Sequence, residues 1–138
     1  MTIEEYVGAR KHLDKEIECK LEQIKELEAL ATKVSPSSGR SGSGQVSDKV
    51  GKTVAKIIDL ENEINSTIDK LVDLKAEFLQ KISLIRSPLH RTMLERKYIL
   101  GNSIETIAEK TGYSVAQANR VLCAAKEELE KMIQDDTK

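Results

Sequence analysis

The sequence predicts an all-α protein: a long antiparallel helical hairpin of coiled-coil character, followed by a small three-helix domain containing a helix-turn-helix. Three observations predict it. Apolar residues recur at alternating steps of three and four in two long runs, the signature of a helix with one apolar face. One third of the 138 residues are charged and only 3% aromatic, with no Trp and Phe78 as the single Phe, which suits long helices better than a broad core. Finally, serine start signals and glycine stop signals alternate through residues 87–134.

The first run spans residues 2–34: Ile3, Tyr6, Leu13, Ile17, Leu21, Ile24, Leu27, Leu30, Ala31 and Val34, interrupted by Arg10 and Lys20. Glu16 and Lys20 form a helix-supporting pair on its flank. SPSSGRSGSGQ follows, and its Pro36, glycines and serines predict a flexible connector over 35–47. The second run is Val50, Val54, Ile57, Ile64, Ile68, Leu71, Phe78, Ile82 and Ile85, widened by Ile58, Val72 and Leu79, with Glu61 and Lys75 inside it. From Ser47 to Arg86 it reads as one helix, on the order of 60 Å long. Its stripe needs a partner, either the first helix folded back or a second copy in a dimeric coiled coil. Residues 1–86 are therefore expected to form a hairpin that also associates with itself.

Ser87-Pro88 is a strong helix start, with serine as the cap and proline at the first helical position. Leu89, Met93, Leu94 and Tyr98 make its apolar face, and Gly101-Asn102 ends it. Ser103 caps the next helix, with Ile104, Ile107 and Ala108 inward. Gly112 ends that one by supplying a left-handed residue. Ser114 opens the last helix, and Gln117 three residues on completes a capping-box pattern. Ala118, Val121, Leu122, Ala125, Leu129 and Met132 form its buried stripe. These three helices, residues 87–134, make the second domain, leaving 135–138 as an acidic tail.

Charge is unevenly spread along a chain of net charge −1. Residues 86–126 hold seven basic groups (Arg86, Arg91, Arg96, Lys97, Lys110, Arg120, Lys126) against three acids (Glu95, Glu105, Glu109), a surplus of four. The segments on either side are net acidic. The basic block spans all three predicted C-terminal helices, and four of its seven cations precede Ser103. A basic surplus in this part of the chain is what nucleic-acid binding would need. With Ala118, Val121 and Leu122 turned inward, the last helix offers Val115, Ala116, Gln117, Asn119 and Arg120 outward near its start. Asn and Gln can pair bidentately with adenine and Arg with guanine, while Val115 and Ala116 can touch a thymine methyl. Lys110, Thr111 and Ser114, with the N–H groups at the helix start, are placed for phosphates. Arg86 and Arg91 suit a solvated face as well as a phosphate contact.

Other chemistry is not expected. Gly51-Lys52-Thr53 imitates part of a phosphate-binding loop, but Val46 stands where the earlier glycine belongs and no strand precedes it. His12 and His90 have no metal-ligand spacing, and Cys19 and Cys123 read as reduced thiols. No nucleophile-and-base pattern stands out, so no enzyme, cofactor, metal or small-molecule substrate is expected. The opening MTIEEYVGARKHL has acids where a signal peptide is basic, and no apolar run reaches membrane-spanning length. A cytoplasmic protein that makes no membrane contact is expected.

LERKYILGNSIETIAEKTGYSVAQANRV resembles the helix-turn-helix of the fourth region of bacterial sigma factors. Together with LDKEIECKLEQIKELEALATKVSP and VAKIIDLENEINSTIDKLVDLK, in this order, it resembles a family of small phage-encoded proteins of Gram-positive hosts, similar to phage transcriptional activators of the RinA and ArpU types. The resemblance implies a regulator of phage transcription in the cytoplasm of a bacterial host. It implies duplex DNA and host RNA polymerase as partners, with Ser114, Val115, Ala116, Gln117, Asn119 and Arg120 at the DNA-facing positions. Sigma factors often carry charged residues where this chain has Val115 and Ala116. Two rival readings are a coiled-coil adaptor that binds protein rather than DNA, and a small terminase subunit. The latter usually places its DNA-binding motif before its oligomerising helices, the reverse of the order here.

Overall fold

A computed structural model describes residues 1–33 and 44–136. Every regular element among them is helical: α1 (Ile3–Lys33), α2 (Gly44–Ser83), α3 (Pro88–Leu94) running into a π-turn (Glu95–Ile99), α4 (Ile104–Thr111) and α5 (Val115–Asp136). The connector expected over 35–47 lies outside the described residues up to 43, and residues 44–47 already belong to α2. At its other end α2 stops at Ser83 rather than Arg86. The N–H groups of Leu84 and Ile85 close short bonds to the carbonyls of Lys81 and Ile82, and the Ser83 hydroxyl donates to Gln80 O. The acidic residues expected to begin a tail at 135 continue α5 through Asp136.

The chain folds as two compact units, Met1–Arg10 with Val72–Lys138, and Lys11–Leu71. The sequence reading divides it at 86/87 instead. A long-range association explains the difference, because the first turns of α1 and the last turns of α2 share a core with the C-terminal helices. Ile3, Tyr6, Phe78, Ile82, Ile85, Leu94, Tyr98, Ala125, Leu129 and Ile133 form that core. At its centre the Tyr6 and Phe78 rings stack with centroids 3.9 Å apart, and Tyr98 meets Phe78 edge-on at 5.7 Å. Each such pair contributes about 1 kcal/mol beyond its buried area.

One backbone group holds this core in register. The π-turn and Gly101, at φ +72°, end the helix, with Leu100 N–H donating to Glu95 O and Asn102 N–H to Arg96 O. The carbonyl of Tyr98 is an end-of-helix acceptor, and two side chains of α1 supply its donors. The Tyr6 hydroxyl donates to it at 2.8 Å, and the Arg10 guanidinium donates to it as well. Arg10, an interruption of the apolar stripe in the sequence, is thus a helix cap supplied from the far end of the chain.

In the Lys11–Leu71 unit, Ile24 and Ile64 are buried and Lys20 pairs with Glu63 at 3.7 Å. Thr67 is buried too, its hydroxyl donating to Glu63 O at 3.1 Å. The expected stripe of α2 resolves into two lines. Steps of three and four from Ile64 lead through Thr67 to Leu71, which is half-buried. Ile68 is one residue, and so about 100°, further round the helix and stands exposed with Val50, Val54 and Ile58. Leu21 and Leu30 of α1, also expected inside, are exposed as well.

Candidate nucleic-acid interface

The short C-terminal helices begin and end where the local chemistry dictates. Ser87 accepts from His90 N–H at 3.2 Å with Pro88 following, and Ser103 accepts from Thr106 N–H at 3.2 Å. Gly112 closes α4 at φ +80°, its own N–H and that of Tyr113 both donating to Ala108 O. A methyl group at Gly112 would meet nothing within 4 Å, so the left-handed turn, and not crowding, requires glycine there. Ser114 then opens α5 with the predicted capping box: its hydroxyl accepts from Gln117 N–H at 3.2 Å, and Gln117 Oε1 accepts from Ser114 N–H at 3.2 Å.

Beneath this turn Met93, Ile107, Ala108 and Ala118 form a second buried cluster, flanked by Leu89, Ile104, Tyr113, Val121 and Leu122. Two alanines, Ala108 on α4 and Ala118 on α5, let the helices approach closely. With Ala118 at zero exposure, the first two turns of α5 are fixed in rotation. Val115, Ala116, Gln117, Asn119 and Arg120 are exposed, and Lys110 is exposed at the end of α4.

The expected site residues do not all retain the roles assigned from sequence. Thr111 is half-buried, and its hydroxyl donates back to Ile107 O at 2.6 Å, so its proton is committed to its own helix. Gln117 Oε1 is engaged by the capping box. A bidentate adenine contact, which needs both ends of the amide, would have to use the second lone pair of that oxygen with the side chain held in its capping orientation, or give the cap up. Arg91 also has an internal duty: its guanidinium donates to Ile85 O and Arg86 O, bridging the segment between α2 and α3. Asn119, Arg120, Ser114 and Lys110 remain the polar groups presented at this corner. Cys123 and Ala124, four residues beyond Asn119 and Arg120, extend the exposed face by a turn before Glu127 makes it acidic. The same helical spacing in the sequence could have found them.

His90 on α3 and Glu128 on α5 lie 2.7 Å apart, tying the two helices together away from the first turns of α5. The Tyr98 hydroxyl has its pKa raised, first by burial and then by the nearby negative charges of Glu130 and Cys123. Among the described residues no cluster of metal-ligating side chains occurs, and no helix is long and apolar enough to cross a membrane. No family model matches the chain, and neither a curated protein nor a solved structure matches it.

Proposed function

We propose that this protein is a transcriptional regulator of the phage type, which binds duplex DNA through a helix-turn-helix formed by α4, the Gly112 turn and α5. The hairpin helices α1 and α2 serve self-association or contact with host RNA polymerase. One observation carries the reading: the start of α5 buries Ala118 against Met93, Ile107 and Ala108 while presenting Val115, Ala116, Asn119 and Arg120 outward. A recognition helix needs that division, with one face locked and the other offered to base edges. The basic surplus of residues 86–126 supports it, as do the N–H groups at the start of α5. Asn119 and Arg120 are assigned base edges, Val115 and Ala116 apolar contact, and Lys110 and Ser114 the phosphate backbone.

Fluorescence anisotropy with duplex fragments tests this reading. Wild type and Asn119→Ala/Arg120→Ala would be titrated over a salt series. The expected result is binding that weakens steeply with salt and loses its sequence preference in the double variant. No binding by folded protein at low salt would refute it. The adaptor reading is favoured by a different observation, the exposed Ile, Leu and Val side chains along α2. It predicts that Arg120 can be replaced without consequence.

A further inference from the structure

The exposed line of α2 has an internal symmetry that the buried line does not need. Exposure reaches 46% at Val54, 50% at Ile58, 40% at Ile68, 57% at Val72 and 38% at Leu79, all on one side of a continuous helix. Two charged residues interrupt this line. Glu61 stands seven residues before Ile68 and Lys75 seven after it. Seven residues are close to two full turns, so both charges lie on the Ile68 face, each about 10 Å from it along the axis. Asn65 and Val72 flank Ile68 at steps of three and four, and Ile58 and Leu79 flank it at ten and eleven.

We infer that this face is the seat of a second copy of the chain, with the two α2 helices antiparallel about a two-fold axis at Ile68. In that arrangement Ile68 meets its own counterpart. Asn65 lies beside Val72 of the partner subunit, and Ile58 beside Leu79 of the partner subunit. Glu61 lies opposite Lys75 of the partner subunit, and this pair occurs twice. A two-fold contact must be self-complementary, and opposite charges at equal distances from its centre meet that requirement. Parallel, in-register pairing would set each of these charges against its own like, which is unfavourable. The helix carries two apolar lines side by side, as a helix does when it packs on a hairpin partner and on a second subunit together. This inference deepens the self-association part of the proposed function and stands independently of DNA binding.

Sedimentation equilibrium of the full chain tests it. Wild type is expected to be a dimer, and Ile68→Asp a monomer of unchanged helical circular dichroism. Glu61→Lys converts both symmetry-related pairs from attraction to repulsion and should raise the dimer dissociation constant about tenfold. Glu61→Lys/Lys75→Glu should restore it. In a Cys19→Ser/Cys123→Ser background, Ile68→Cys should be joined by a short thiol cross-linker and Leu79→Cys should not. A monomeric wild type would overturn the inference. So would a charge swap that fails to rescue, or equal cross-linking at residues 68 and 79, which would indicate a parallel dimer. None of these results depends on whether α5 binds DNA.

Discussion

Replacing Tyr6 should loosen helices that begin more than eighty residues away. Its ring is fully buried and stacked on Phe78, and its hydroxyl donates to the carbonyl of Tyr98 at the end of the π-turn. Tyr6→Ala removes the stacked ring and leaves a cavity, which for a buried aromatic costs about 4 kcal/mol. Tyr6→Phe removes only the hydroxyl. The Tyr98 carbonyl retains Arg10 as a donor, so no buried acceptor is orphaned and the cost should be about 1 kcal/mol. Against a total stability of roughly 5–15 kcal/mol, the first change is severe and the second mild. The assay is amide hydrogen exchange of the full chain, because it reports each helix separately. Tyr6→Ala is expected to lower protection at Leu94, Tyr98, Ala125 and Leu129. Full protection there, with loss confined to α1, would refute the argument that the first turns of α1 belong to the C-terminal core.

The remaining predictions concern turns, caps and titration. Gly101→Ala should destabilise more than Gly112→Ala when compared by urea denaturation. Both force a left-handed residue at about 1 kcal/mol, but only at Gly101 would the new methyl lie 3.0 Å from the Arg10 guanidinium. Ser114→Ala should cost about 1 kcal/mol by removing the hydroxyl that caps α5, and heating monitored by circular dichroism would detect it. The raised pKa of Tyr98 means that the folded protein keeps its proton at a pH where the unfolded chain has begun to lose it. The associated stability is complete below the ordinary tyrosine range near pH 10 and falls as pH rises through the folded value. Urea midpoints between pH 8 and 11 should decline only at the upper end, and Tyr98→Phe should flatten that decline.

The short C-terminal elements were legible in the sequence because their signals are local. Ser87, Ser103 and Ser114 each cap a helix with a side chain that reaches only three residues on, and Gly101 and Gly112 each need only their own backbone angle. Long-range partners were not legible. Arg10 read as an interruption of a stripe, and nothing local reveals that it donates to residue 98. Arg91 likewise suits a solvated face or a phosphate contact by sequence, whereas its guanidinium donates to the carbonyls of residues 85 and 86. Periodicity predicted that α2 has an apolar face, but two adjacent lines blur into one wide stripe in a sequence. The burial of Thr67 beside exposed Ile68, and of Phe78 beside exposed Leu79, separates them. At the candidate interface the outward residues of α5 followed from the inward ones. The internal bonds of Thr111 and Gln117 depend on side-chain geometry that spacing leaves open.

The most direct test of the central claim is an amide chemical-shift titration of the labelled full chain with short duplex DNA at low salt. The account predicts that the largest changes fall on Lys110 and Ser114 to Arg120. The buried amides of Leu129 and Ile133 should stay in place. Absence of any change at saturating duplex, or changes confined to α1 and α2, would contradict it.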